Sequence, residues 1–73
     1  MRFASEKLQA AREARGMTLR ELEYATGVDR GSLNNWELGG TRPRSDKLAA
    51  VCLFLELPME SLYVPEAQDE TVH

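Results

Sequence analysis

An all-α bundle of five short helices is the fold class this sequence predicts, and three observations predict it. Between Thr18 and Gly39, Leu22, Val28, Leu33 and Trp36 fall at the spacings of two short helices around a corner at Gly27. Capping residues bracket both helices. Thr18 with Glu21 forms a capping box, Asp29 suits an N-cap, and Gly39-Gly40 is a stop. The chain has 73 residues, enough for one domain with a small core. Two helices of this size cannot bury their shared face alone, so the rest of the chain must supply a lid.

The elements follow in order. Ser5 to Arg15 forms helix one, with Ala4, Leu8 and Ala11 as its apolar stripe and Gly16 at its end. Phe3 ahead of it either folds back onto the bundle or contributes to a dimer contact. Helix two starts after Thr18 and ends at Gly27, where only glycine enters the left-handed region cheaply. Helix three runs from about 29 to 38. Gly40 to Pro43 is a loop, because the residue before proline avoids helical geometry. Helix four spans Ser45 to Leu55 and buries Leu48, Val51, Cys52 and Leu55, with Ser45 the better N-cap by chemistry. Pro58 opens a fifth helix, Pro58 to Tyr63. Residues 1–64 make the domain, and 65–73 make an acidic tail expected to be disordered.

Composition narrows the function. A single cysteine, Cys52, excludes an internal disulfide and a four-cysteine zinc site. A reducing, cytoplasmic setting fits it. No apolar run approaches the ~20 residues of a membrane span. The first sixteen residues are charged throughout, unlike a signal peptide. The net charge is −3, but it is divided unevenly: residues 1–50 hold all nine Lys and Arg against seven acids, and residues 51–73 hold five acids and no base. A basic front and a remote acidic tail follow, with modest non-specific affinity for phosphate. Its one histidine, His73, ends the chain and has no partner in sequence. No nucleophile sits beside a base, and neither a metal constellation nor a phosphate-cradling glycine loop appears. An enzyme is therefore the weakest reading, and no cofactor, metal or small-molecule substrate is expected.

The central stretch resembles the helix-turn-helix of the Cro/repressor-like family, also called the xenobiotic-response-element family. Thr18, Leu22, Gly27, Val28, Leu33, Trp36, Glu37 and Gly39 stand at the family's motif positions. Leu8, Arg12 and Gly16 match before it; Pro43, Leu48, Leu55, Leu57 and Leu62 match after it. The resemblance covers about residues 5–63. It implies a compact five-helix lambda-repressor-like DNA-binding domain with its helix-turn-helix at helices two and three. It also implies that Arg12 pairs with Glu37, against the ordinary alternative of a solvated arginine. Two positions depart from the pattern. Glu23 stands where the family usually has Ala, and is read as a tolerated carboxylate that snorkels outward or finds a donor. Leu19 stands where Gln often touches a phosphate, a role that passes to Arg20.

The implied function is a sequence-specific regulator of double-stranded DNA, of the repressor kind, with helix three in the major groove. Arg30, Ser32, Asn34 and Asn35 are its base-reading candidates, since Arg pairs with guanine and Asn with adenine. Thr18, Arg20, Thr41, Arg42 and Arg44 are the phosphate candidates. Gly31 permits close backbone approach. Trp36 shares Leu33's inward face and is core rather than a base-stacking group, its indole N–H requiring a partner. A homodimer through helices four and five, using Phe54, Leu57, Leu62, Tyr63 and Val64, would read an inverted repeat, with core packing an equally physical use for Leu57 and Leu62. The alternative is a protein-interaction module on the same fold, toward which the modest positive charge, Glu23 and exposed Tyr24 lean.

Overall fold

The computed structural model describes residues 1–65. Four α-helices carry the fold: α1 (Ser5–Ala14), α2 (Leu19–Thr26), α3 (Arg30–Leu38) and α4 (Ser45–Leu55). A two-stranded antiparallel ribbon joins the chain ends of the domain, β1 (Arg2–Phe3) against β2 (Tyr63–Val64), with Arg2 opposite Val64 and Phe3 opposite Tyr63. The acidic tail expected at 65–73 lies, apart from Pro65, outside the described residues.

The core is one cluster drawn from every helix. Leu8, Leu22, Val28, Leu33, Trp36, Leu48, Val51, Cys52, Leu55 and Leu62 are buried together. The i, i+3 and i, i+4 spacings supply it, so each helix turns one stripe inward. Among the described residues no buried side-chain nitrogen or oxygen lacks a hydrogen-bond partner. Burial raises the Cys52 thiol above its usual range, as befits a small core residue.

Three expectations are corrected. The fifth helix is instead a four-residue 3-10 turn, Met59–Leu62. The Leu62 carbonyl accepts from the Ala4 N–H at 2.7 Å, a bond that ties the end of this turn to the start of the chain and leads it into the ribbon. Tyr63 and Val64, aromatic and β-branched, then extend into the ribbon before Pro65. The N-cap of α4 is Arg44, with extended backbone and no side-chain cap, not Ser45. Asp46 in that first turn supplies the anion instead, and its carboxyl is held low, chiefly by the Lys47 backbone N–H. Finally, of the two uses open to Leu62, dimer face and core, the structure has the core, and Leu57 and Tyr63, also placed at the dimer face, pack against that core. Phe3 folds inward, edge-on to Tyr63 with ring centroids 5.5 Å apart.

Candidate nucleic-acid interface

The α2–α3 unit is fixed at each end by local chemistry. The Thr18 hydroxyl accepts from the Glu21 N–H at 3.1 Å, and Glu21 accepts from the Thr18 N–H at 2.9 Å. Gly27 closes α2 at φ 80°. Asp29 then caps α3, accepting from the Ser32 N–H at 2.8 Å and from the Ser32 hydroxyl at 2.9 Å. Gly39, also at φ 80°, closes α3, and Gly40 donates to the Asn35 carbonyl at 2.9 Å.

This framing sorts the residues of α3. Leu33, Trp36 and Glu37 point inward. Arg30, Asn34 and Leu38 fall four apart, so they line one stripe, with Gly31 and Asn35 on a parallel line, and all five are exposed. Leu38, 74% exposed, escapes a search by polar residue type; its i+4 spacing from Asn34 was the signal that marks it. Ser32 is half-buried and its hydroxyl proton is donated to Asp29, leaving only acceptor capacity for a base edge. Thr18 is the converse: its oxygen accepts within the capping box, so its O–H is left to donate outward.

The loop after α3 keeps Thr41, Arg42 and Arg44 exposed on either side of buried Pro43. Arg44 Nε lies 3.4 Å from Asp46, an exposed pair of small energetic weight. Arg20, Arg30 and Arg42 form no ion pair with a described residue. Leu19, which has no polar group for a phosphate, packs partly buried against the core, with Arg20 exposed beside it.

Arg12 and Glu37 hold α3 against α1. Arg12 Nε donates to Glu37 Oε2 at 2.8 Å and Nη2 donates to Oε1 at 3.0 Å, a bidentate fork. A third donor, Nη1, reaches the Met17 carbonyl at 2.6 Å in the α1–α2 loop. The Glu37 hydrogen bond is the main reason the guanidinium pKa is raised. The pair therefore lies beneath the exposed face, not on it.

Residues 8–62 of the chain match the helix-turn-helix family. The chain belongs to the helix-turn-helix family. It is 37% identical over 57 residues to the transcriptional regulator ClgR of Mycobacterium tuberculosis, a match covering 78% of this chain and 51% of that protein. The chain thus spans about half the length of the curated relatives it matches. The crystal structure of the clp gene regulator ClgR from Corynebacterium glutamicum is 30% identical with a TM-score of 0.74, over 94% of this chain and 73% of that one. The P22 c2 repressor protein, in complex with a synthetic operator, has a TM-score of 0.77 over 85% of this chain and 94% of that one. At 22% identity that likeness shows the fold alone, a lambda-repressor-like helix-turn-helix.

In this helix-turn-helix domain the cap of α3 titrates. The Asp29 carboxyl is held below the ordinary aspartate value of 3.8, first by the Ser32 backbone N–H, then by the Ser32 hydroxyl, and further by Lys47 at 3.8 Å. The folded carboxyl is the stronger acid, so the unfolded chain takes up the proton first. The cap's charge contribution is complete above about pH 5, where the unfolded carboxyl is also ionised, and is lost as pH falls through the folded value. Asp29→Asn keeps a capping oxygen but no titration. The stability gap between wild type and Asp29→Asn should be flat above about pH 5 and shrink below about pH 4 in thermal melts at fixed salt. A gap independent of pH would mean the Asp29 charge contributes nothing to the cap.

Proposed function

We propose that this helix-turn-helix domain is a sequence-specific, double-stranded-DNA-binding transcriptional regulator that inserts α3 in the major groove. One observation carries the reading. α3 is capped at both ends and anchored from within by Arg12–Glu37, while Arg30, Asn34, Asn35 and Leu38 are left exposed as a pre-ordered face. Arg30 and the two asparagines suit guanine and adenine edges, and Leu38 suits a thymine methyl. Thr18, Arg20, Thr41, Arg42 and Arg44 are the proposed phosphate contacts. The activity is binding, exerted in the cytoplasm, with repression following where the bound site overlaps a promoter. The regulator role of both ClgR relatives supports this reading.

A single domain buries only ~600–1,000 Å² on DNA, which is thin for operator-level affinity. A homodimer through the α4 end is the proposed remedy. Leu53 is 81% exposed and stands beside half-exposed Phe54, over which Arg15 lies 5.7 Å from the ring centroid. The dimer should read an inverted repeat with half-sites about one turn, ~34 Å, apart.

Selection of bound duplexes from random DNA by the purified protein tests the proposal. The expected result is one enriched inverted repeat, bound with a steep salt dependence. Sedimentation that finds monomer alone at high micromolar concentration, with and without the selected duplex, would remove the dimer. No enrichment and no salt-dependent binding would remove DNA binding, and the fold would then serve as a protein-interaction module.

A further inference from the structure

We propose that Glu23 is a positioning residue of the DNA-binding face, fixing the first turn of α3 from α2 and keeping DNA phosphate off that helix end. The inference rests on the DNA-binding reading above. Its geometry is a single bond across the corner: Glu23 Oε2 accepts from the Arg30 backbone N–H at 3.1 Å, seven residues on. Arg30 is the first residue of α3 and the first of the exposed stripe. The bond therefore fixes the backbone from which the Arg30 side chain departs.

The first turn of a helix leaves backbone donors without intrahelical partners, and such an end ordinarily attracts phosphate. Here the Arg30 N–H is taken by Glu23 and the Ser32 N–H by Asp29. Two carboxylates offset the positive end of the helix dipole. A phosphate approaching that end would meet two negative charges and lack two donors. The first turn is thus reserved for base edges reached by the Arg30 side chain, and anchoring falls to the α2 start and the Thr41–Arg44 loop. Glu23 costs non-specific affinity and gains discrimination.

Two substitutions separate the hydrogen bond from the charge. Glu23→Gln keeps an acceptor for the Arg30 N–H and removes the charge. Glu23→Ala removes both, and alanine favours the helix interior, so α2 is not weakened by propensity. Each protein is titrated with the matched and a scrambled duplex across a salt series, well below its melting temperature. Amide exchange at Arg30 is followed in the free protein. Glu23→Gln should bind both duplexes more tightly, with the matched-to-scrambled ratio held within about twofold and Arg30 still protected. Glu23→Ala should lose about tenfold of that ratio, the low range of one base contact, and its Arg30 amide should exchange about tenfold faster. A merely stabilising cap would lower the melting temperature and leave the ratio unmoved; that result, or an Arg30 amide equally protected in Glu23→Ala, overturns the inference. A wild type that prefers neither duplex removes the DNA-binding reading and the discriminating role with it, while the exchange data separately decide whether Glu23 holds α3.

Discussion

Arg12→Ala should destabilise the domain by about 3–5 kcal/mol, the range for stranding one partner of a buried ion pair. The Arg12 side chain is 12% exposed and that of Glu37 is 5% exposed. Removal of the guanidinium leaves both Glu37 oxygens without their donors and frees the Met17 carbonyl. A domain of this length has roughly 4–11 kcal/mol of stability in total, so the loss is a large share of it. Arg12→Lys should recover little, because an ammonium cannot reproduce two parallel N–H bonds and a third to the α1–α2 loop. Glu37→Gln, which keeps one acceptor, removes the charge together with one of the two Arg12 hydrogen bonds, so its loss should fall below that of Glu37→Ala. Denaturant melts of Arg12→Ala, of Glu37→Ala and of the two combined complete a double-mutant cycle. Coupling above about 1.5 kcal/mol is expected; coupling below about 0.5 kcal/mol would make the pair equivalent to a solvated surface bridge.

That pair illustrates which features could be read from sequence. Arg12 and Glu37 are 25 residues apart, and no local rule joins them; only the family resemblance suggested the match. By contrast the capping box at Thr18, the left-handed Gly27 and Gly39, and the Asp29 cap follow from residue type and spacing within a few positions. The bounds of α4 and its four buried residues were legible for the same reason. The 3-10 turn and the ribbon were not. Whether Tyr63 and Val64 extend or coil depends on Arg2 and Phe3 at the other end of the chain, and a Pro58 start was compatible with either. For Leu62 the sequence leaves core and dimer face equally open, and its place beside the ribbon decides for the core. Within the candidate interface, spacing gave the exposed stripe, but a search by polar type passed over Leu38. For Glu23 the sequence leaves snorkelling and a donor open, because the donor it meets is a backbone N–H across the turn, at Arg30, that no pattern of side chains reveals.

The second large effect divides reading from anchoring, and it is expected on DNA rather than on stability. Arg30 and Asn34 are both exposed and stand four apart on α3. Arg30→Ala or Asn34→Ala should cost ~1–3 kcal/mol on the best site and relax preference at one base pair. Arg42→Ala and Arg44→Ala should weaken matched and mismatched binding by similar factors and reduce the salt slope by about one per lost phosphate contact. Arg44 should show the smaller change, since Asp46 already shares its charge at 3.4 Å while Arg42 has no described carboxylate partner. Gly31→Ala adds an arm to the test. An added Cβ would meet only Asp29 Oδ2, at 3.5 Å, so the free domain should gain about 1 kcal/mol from helix propensity. If the α3 backbone approaches the groove at Gly31, the same variant binds the matched duplex more weakly despite its added stability. All five proteins are measured on one matched and one scrambled duplex across a salt series. If Arg30 and Asn34 variants keep the wild-type preference while Arg42 and Arg44 variants lose it, the reading face lies in the loop and not on α3. If none of them alters affinity, the exposed face of α3 does not meet DNA, and its ordered side chains serve a protein partner.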